Sequence, residues 1–262
     1  METLVRYAAD GPGGHIARLT LDSPHNRNAL STALVEQLHE GFTRASAEPG
    51  VRVVVLDHSG GTFCAGADLS EASTDGAARD PADLVVGRAR ELTRLLRRIL
   101  ELPLPVIAAI DGHVRAGGLG LVGACDIAVA GDASTFALSE ARIGVAPSII
   151  SLTLLPKMTA RAAGRYFVTG ERFGTAAAAE MGLITVASDD VAATVTELAS
   201  AIALGSPQGL AESKALTTAS ILDAFDLHAE KLTQQSGALF ASDEAREGML
   251  AFLQKRPPNW AG

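Results

Sequence analysis

Phe63-Cys64-Ala65-Gly66-Ala67-Asp68-Leu69 and, well downstream, Ala116-Gly117-Gly118-Leu119-Gly120 are two small-residue turns whose reading decides the fold. Each presents backbone N–H groups with no side chain in the way. Two such donors, brought from separate segments onto one carbonyl oxygen, stabilise the negative charge that develops there in enolate or tetrahedral chemistry, by about 2.7–4 kcal/mol per donor. Glycines at 117 and 118 also suit close packing of a helix on a strand. Taken with the Ala65-Gly66-Ala67 turn, they read as an oxyanion hole whose donors are the Ala67 and Gly117 amides, acting on a thioester or similar carbonyl.

Outward from these turns, short apolar strands alternate with helical segments. The first strand is read at 15–22, where Ala17, Leu19 and Leu21 share a face. Ser31 caps a helix over 32–47, with Leu34, Leu38 and Phe42 as its apolar stripe. Residues 51–56, apolar but for Arg52, read as a strand covered on both faces. Segment 70–87 is rich in Ala, Asp, Ser and Gly and reads as a surface loop that could serve as a lid. A helix is expected over 88–102, ended by Pro103 and Pro105, and a buried strand over 106–110. Gly117 then opens a helix whose first turn has free N–H groups and the positive end of the macrodipole. From Ile149 the pattern turns helical, with Gly170 and Gly182 at helix ends, a short strand at 183–186, and three helices near 208–220, 225–241 and 243–255. This divides the chain into an α/β core, 1–204, and a helical C-terminal subdomain, 205–262.

The 262 residues are 47% hydrophobic but only 4% aromatic, so the core is built of Ala, Val, Leu and Ile. No apolar run approaches the roughly 18–20 residues that span a bilayer, and the N-terminus lacks a basic region followed by an apolar one. The expectation is a soluble, unexported, cytoplasmic protein without a membrane partner. Cys64 and Cys125 are the two cysteines, which fits a reducing compartment. Cys64, beside the oxyanion turn, reads as a small buried hydrophobe rather than a nucleophile. A net charge of −8 argues against nucleic acid or an anionic surface as partner. The six histidines form no ligand spacing, so no metal is expected.

The stretch 63–69, the run Ala109-Ile110-Asp111-Gly112 leading to Gly117-Gly118, the stretch Cys125-Asp126-Ile127-Ala128 and the tail 243–260 together resemble the crotonase (enoyl-CoA hydratase/isomerase) superfamily, in order and spacing over nearly the whole chain. The resemblance implies an α/β fold with a spiral core of ββα turns and terminal helices that build a trimer, often paired into hexamers, although no clear internal sequence repeat is visible. It implies coenzyme A as part of a thioester substrate, with no separate bound cofactor.

Proton chemistry beside a polarised acyl group needs a partner such as a carboxylate. Glu140 follows a short strand at 135–138 and sits where family hydratases and isomerases carry a catalytic glutamate; the alternative is a solvated pair with Arg142. Family hydratases typically hold water between two glutamates, and the position of the first is Gly120 here. Either another group holds the water or the enzyme moves a proton without adding water. After Pro147 the usual glycine-rich stretch is replaced by Ser148-Ile149-Ile150-Ser151-Leu152, a bulkier apolar wall similar to that of short or branched-chain acyl-CoA hydratases.

His113 and Arg115 flank the second turn. Arg115 could meet a carboxylate at the far end of a dicarboxylic acyl chain and His113 could assist proton transfer, or both could solvate the loop or pair across an interface. Asp126 reads as a structural hydrogen-bond acceptor. By resemblance, Arg27 and Ala29 border the CoA adenine. Ala65, Asp68, Leu69 and Gly118 are further expected contacts of the coenzyme A portion, and Phe240 and Lys255 belong to the terminal signature, with Arg256 a further cation or ordinary surface charge. The expected activity is reversible hydration of a 2-enoyl-CoA. Its alternatives are a double-bond shift, a hydrolase or lyase on the same scaffold, and a noncatalytic acyl-CoA-binding homologue.

Overall fold

Val53-Val54-Val55-Leu56 has no polar face, and in a computed structural model of the chain, which describes residues 2–68, 71 and 81–262, neither face meets water. Strand β3 (Val53–His58) sends Val54 and Leu56 into the main core. Val53 and Val55 enter a second cluster, capped by Val195 and Ala199 of helix α7 (Val191–Ala203). A strand buried on both sides belongs in the middle of a parallel sheet. β3 lies between β2 (Ile16–Leu21) and β5 (Val106–Ile110), parallel to both. β7 (Ile127–Gly131) and β10 (Val186–Ser188) extend the sheet in parallel, and β1 (Val5–Asp10) closes the other edge antiparallel to β2.

A second, smaller sheet has the order β4 (Thr62–Cys64), β6 (His113–Arg115), β8 (Thr135–Ala137), β9 (Phe173–Gly174). The chain alternates between the two sheets. β3 passes to β4 and then to helix α2 (Pro81–Glu101), and β5 passes to β6 and then to α3 (Gly117–Ala124). β7 passes to β8 and then to a 3-10 turn, Glu140–Ile143, and the short helix α4 (Ser151–Leu154). Each pass is one ββα turn of a spiral, which is the crotonase-type α/β fold. The repeat is one of topology; the residues filling corresponding strands share little beyond being apolar.

Helix α1 (Thr32–Ala47) keeps its expected bounds. Ser31 Oγ accepts from the Leu34 amide at 3.2 Å, and Leu34, Leu38 and Phe42 are buried. Helices α5 (Ala160–Thr169) and α6 (Thr175–Glu180) follow, and Gly170 (φ 59) and Gly182 (φ 88) take the left-handed conformation just past their ends.

Four expectations need correction. β1 precedes the first expected strand; its half-exposed edge pattern hides it from a search for apolar alternation. α2 begins at Pro81, seven residues earlier than expected, because proline fits the first helical turn; the rest of the suspected lid, residues 70 and 72–80, lies outside the described residues. The strand expected at 183–186 starts at Val186, Leu183 and Ile184 being buried in the turn before it. The helices expected at 208–220 and 225–241 are one, α8 (Pro207–Phe240), since Ile221-Leu222-Asp223-Ala224 contains neither glycine nor proline to stop it. α9 (Asp243–Leu253) is the last helix among the described residues.

α8 lies along α2, with Arg90–Glu230 and Arg97–Asp226 ion pairs and a Thr93–Thr233 hydroxyl contact of 3.0 Å. Its deepest anchor is Lys214. The ammonium donates to the carbonyls of Ile99 (2.7 Å) and Leu104 (3.0 Å) and pairs with Asp126 at 2.8 Å. Asp126 in turn accepts from the Val106 amide at 2.7 Å, the structural role its position suggested. One cation thus ties α8, the end of α2 and the entries to β5 and β7. Removing one partner of a buried pair leaves the other uncompensated. Lys214→Met is therefore expected to lower the unfolding free energy by about 3–5 kcal/mol, read by denaturant titration; a loss under about 1 kcal/mol would mean that the pair behaves as a surface one.

Candidate active site

β4 and β6 are parallel neighbours, with Thr62 opposite His113 and Cys64 opposite Val114, so the residues that leave their C-terminal ends emerge side by side. After β4 the chain turns at Gly66 (φ 91). It is held there by Leu30, whose amide donates to the Gly66 carbonyl at 2.7 Å, and by the Ala65 amide, which donates to the Arg27 carbonyl at 3.1 Å. After β6 the chain turns at Ala116, φ 45 and ψ −122, a conformation an L-residue takes at a cost of about 1–3 kcal/mol. The Ala116 amide donates to the Ala137 carbonyl at 3.1 Å, which ties this turn to the end of β8.

The closeness of the two turns is measured by what a side chain would strike. A β-carbon on Gly66 would lie 2.9 Å from the Ala116 β-carbon and 3.2 Å from the Gly117 nitrogen, and one on Gly117 would lie 3.8 Å from the Ala67 nitrogen. The Ala67 and Gly117 amides therefore border one small volume, and neither donates to an acceptor among the described residues. Gly117 is also the first residue of α3, all of whose residues are buried, so the unpaired N–H groups at its N-terminus add partial positive charge. Gly118 has the packing reason: a β-carbon there would meet the Cys64 β-carbon and carbonyl at 2.8 Å. Cys64 is fully buried and its thiol is pushed up to about 12 by burial; Sγ accepts weakly from the Gly66 amide at 3.5 Å. It supports the turn and is no nucleophile.

Glu140 opens the 3-10 turn three residues past Ala137, and its side chain is buried. Burial pushes the carboxyl up to about 7, against a slight opposing pull from its own backbone N–H. Oε2 is buried without a hydrogen-bond partner among the described residues. Arg142, the suspected solvated partner, points elsewhere: its Nε donates to the Thr169 carbonyl at 2.9 Å. A buried carboxyl titrating near neutrality, with a free oxygen, is suited to take and return a proton.

Gly120 is walled off. A β-carbon there would lie 2.5 Å from Ile150 Cγ2 and 3.3 Å from Leu96 Cδ1, so the replacement stretch after Pro147 fills the space a longer side chain would need. Arg115 is spent within the fold: its guanidinium donates to the Thr135 carbonyl at 2.6 Å and to Thr135 Oγ1 at 2.8 Å, and His113 Nδ1 meets the same hydroxyl at 3.0 Å. Both residues brace β6 against β8.

The CoA candidates divide into two groups. Arg27 (exposed, φ 61), Ala29 (buried), Ala65, Asp68 and Gly118 stand around the paired segments 27–30 and 65–68. Asn28 is buried there and its amide is fully used, accepting from the Ser23 amide at 2.7 Å and donating to the Ser59 and Thr62 carbonyls. Phe240 ends α8 and Lys255 (exposed, φ 54) follows α9. Arg256 is engaged with both carboxylate oxygens of Glu247, at 2.6 and 2.8 Å. Leu69 lies outside the described residues. Among the described residues no three His, Cys, Asp or Glu side chains group so as to hold a metal ion, and no helix is long and apolar enough to cross a membrane. Composition could not reveal the strain at Ala116 or the Ile150 lid over Gly120. Lys214 did leave a signal, as a cation in register with Thr218, Ile221 and Phe225 on the buried face of α8.

Two amides that border one small volume without an acceptor among the described residues, together with a buried carboxyl on the turn after β8, suit an enzyme that polarises an acyl thioester and moves a proton. The profile of the enoyl-CoA hydratase/isomerase family matches residues 12–262, and the chain belongs to that family, within the crotonase superfamily. It is 35% identical to the enoyl-CoA hydratase EchA19 of Mycobacterium tuberculosis over 94% of this chain and 93% of that protein. It is 33% identical to the carnitinyl-CoA dehydratase of Proteus mirabilis over 95% and 96% of the two. A crystal structure of an enoyl-CoA hydratase from Mycobacterium avium superposes with a TM-score of 0.90 at 63% identity, covering 99% of this chain and all of that one.

Two outcomes follow from this geometry. In Gly66→Ala the added β-carbon wedges between the two turns, and kcat for the best thioester is expected to fall about 10²–10³-fold, the effect of losing one oxyanion donor; steady-state assay of the folded variant reads it. Glu140 has a pKa raised above its unfolded value of 4.5, so its ionisation opposes folding: its contribution is intact below pH 4.5 and is lost as pH rises through 7. Glu140→Gln is expected to be more stable than wild type at pH 8 by up to about 3 kcal/mol, with the advantage vanishing below pH 4.5 in thermal unfolding across pH.

Proposed function

We propose that the chain catalyses reversible hydration of a 2-enoyl-CoA. The thioester oxygen sits on the Ala67 and Gly117 amides, and Glu140 is the sole carboxylate that handles the proton. In the forward direction Glu140 takes a proton as a water oxygen bonds to C3. The C2=C3 electron pair moves into an enolate held by the two amides, and C2 recovers a proton as the carbonyl reforms. The observation that carries this reading is the buried Glu140 carboxyl, one oxygen unpaired, on the turn that directly follows β8.

In the same reading Arg27, Ala29, Ala65, Asp68, Leu69, Gly118, Phe240 and Lys255 hold the coenzyme A portion, and the enzyme needs no other cofactor. Residues 1–204 form the core that bears the site and 205–262 an oligomerisation unit. Leu216 and Leu227 on α8, and Leu250, Phe252 and Leu253 on α9 and at its end, are large apolar side chains left exposed on the single chain; they suit the faces of a homotrimer or a hexamer of two trimers. A short or branched acyl chain fits the bulky wall at Ile149 and Ile150, and the cytoplasm fits two free thiols.

Gly120 favours one second reading. With Ile150 filling the place of a second carboxylate, a double-bond shift needs Glu140 alone, which would take a proton from one carbon of a 3-enoyl-CoA and return it to another. Product analysis in D2O separates the two. Crotonyl-CoA and a 3-enoyl-CoA are offered to wild type and to Glu140→Gln. Hydration yields deuterated 3-hydroxyacyl-CoA, isomerisation yields only the moved alkene, and the variant is expected to lose at least about 10²-fold in rate, the lower range for an acid–base group. Turnover undiminished in Glu140→Gln would remove both readings, and tight thioester binding without turnover in wild type would leave a noncatalytic binding protein.

A further inference from the structure

Among the described residues the Glu140 carboxylate has no ion pair or side-chain hydrogen bond to hold it, so its place depends on how the backbone of its turn is packed. Two elements do that packing. On one side Arg142 ties the turn to the end of α5 through the Thr169 carbonyl, and a β-carbon on Gly170 would lie 3.0 Å from the Leu138 carbonyl. On the other side lies α9, whose backbone touches the turn directly. A β-carbon on Gly248 would stand 2.5 Å from the Ile143 carbonyl carbon and oxygen, and one on Gly144 (φ 78) would stand 2.6 Å from the Glu244 carbonyl carbon. Two glycines, one on each partner, allow main chain to meet main chain.

α9 is itself fixed at both ends. Ser242 Oγ accepts from the Ala245 amide at 3.1 Å at its start, and Glu247 grips Arg256 and the Asn259 amide beyond its end. Ala245 and Ala251 are buried on the same face as Gly248. The helix meets the turn main chain to main chain, so a shift of α9 displaces Ile143 and Gly144, three and four residues past Glu140.

We propose that Gly248 is a positioning residue: by seating α9 on Ile143 it holds the Glu140 carboxyl in its buried, unpaired place. This rests on the reading of Glu140 as the proton carrier. The charged groups on the elements packed against the turn are already engaged or turned away: Arg142 on Thr169, Arg165 with Glu171, Asp243 with Arg246, and Glu247 with Arg256; Arg161 and Glu244 are exposed. None of them contributes to the shift of the Glu140 carboxyl, which has burial as its cause. Loosening the seat lets water reach that carboxyl and lowers its pKa.

The test is the pH profile of kcat for Gly248→Ala in the intact enzyme, beside Glu140→Gln and Gly164→Ala, a helix glycine with nothing within 4 Å of an added β-carbon. Gly248→Ala is expected to lose on the order of 10²-fold in rate, the effect of an ångström-scale misplacement. The ascending limb of its profile should move from about 7 toward the ordinary 4.5, while Gly164→Ala keeps the wild-type profile. If Gly248→Ala does not fold, Ala251→Gly, which loosens the same seat without a clash, is expected to shift the limb in the same direction with a smaller loss. A limb that stays at the wild-type pH in the folded variant overturns the proposal, whatever the rate. Glu140→Gln keeping wild-type activity overturns instead the reading on which it rests.

Discussion

The molecule is organised around the approach of two main-chain turns at the ends of adjacent parallel strands. β4 and β6 share a ladder, so the segments leaving them cannot avoid each other. What decides whether they make a site is the absence of a side chain at Gly66, where a β-carbon would come within 3.2 Å of the Gly117 nitrogen, and the left-handed twist accepted at Ala116. A conformation costing about 1–3 kcal/mol persists where its surroundings over-determine it. Here the surroundings are a hydrogen bond to Ala137, the buried helix α3 and the packing of Gly118 on Cys64. The strain sits at the residue that leads into the Gly117 amide, on the border of the small volume between the two turns.

Much of the remaining structure serves to keep that volume still. The larger sheet, whose central strands are parallel and buried on both faces, is the rigid floor, and Arg115 and His113 fasten β6 to β8 through Thr135. Because β8 leads straight into the turn of Glu140, the donors and the carboxyl are referenced to the same small sheet. In the proposed reading this arrangement preorganises the donors, since groups already in place need no reorganisation as charge develops. Arg115, for which a carboxylate at the far end of an acyl chain was one reading, is engaged by Thr135 within the fold.

The fold was legible in the sequence where its signal was local and strong. Ser31 and its apolar stripe defined α1, the run at 106–110 defined β5, and Gly117 marked the start of α3. The failures have physical causes. β1 is an edge strand exposed over most of both faces, so it lacks apolar alternation. α8 runs through a stretch that looked like a junction only because helices of its length are uncommon. The meeting of the two turns was legible as motif, since small residues at 66 and 117 announce close main-chain approach. The wall over Gly120 and the seat of α9 on Ile143 were not, because each joins residues distant in sequence whose contact exists only after folding.

The central claim, that the Ala67 and Gly117 amides polarise a thioester carbonyl, is tested most directly by infrared difference spectroscopy. The probe is an enoyl-CoA carrying ¹³C at the thioester carbonyl, bound to the Glu140→Gln protein so that it is not consumed. The account predicts a carbonyl stretch at lower frequency than for the same thioester free in water, returning toward the free value when Gly66→Ala is added. A bound carbonyl whose stretch matches the free one, or one indifferent to Gly66→Ala, would contradict it.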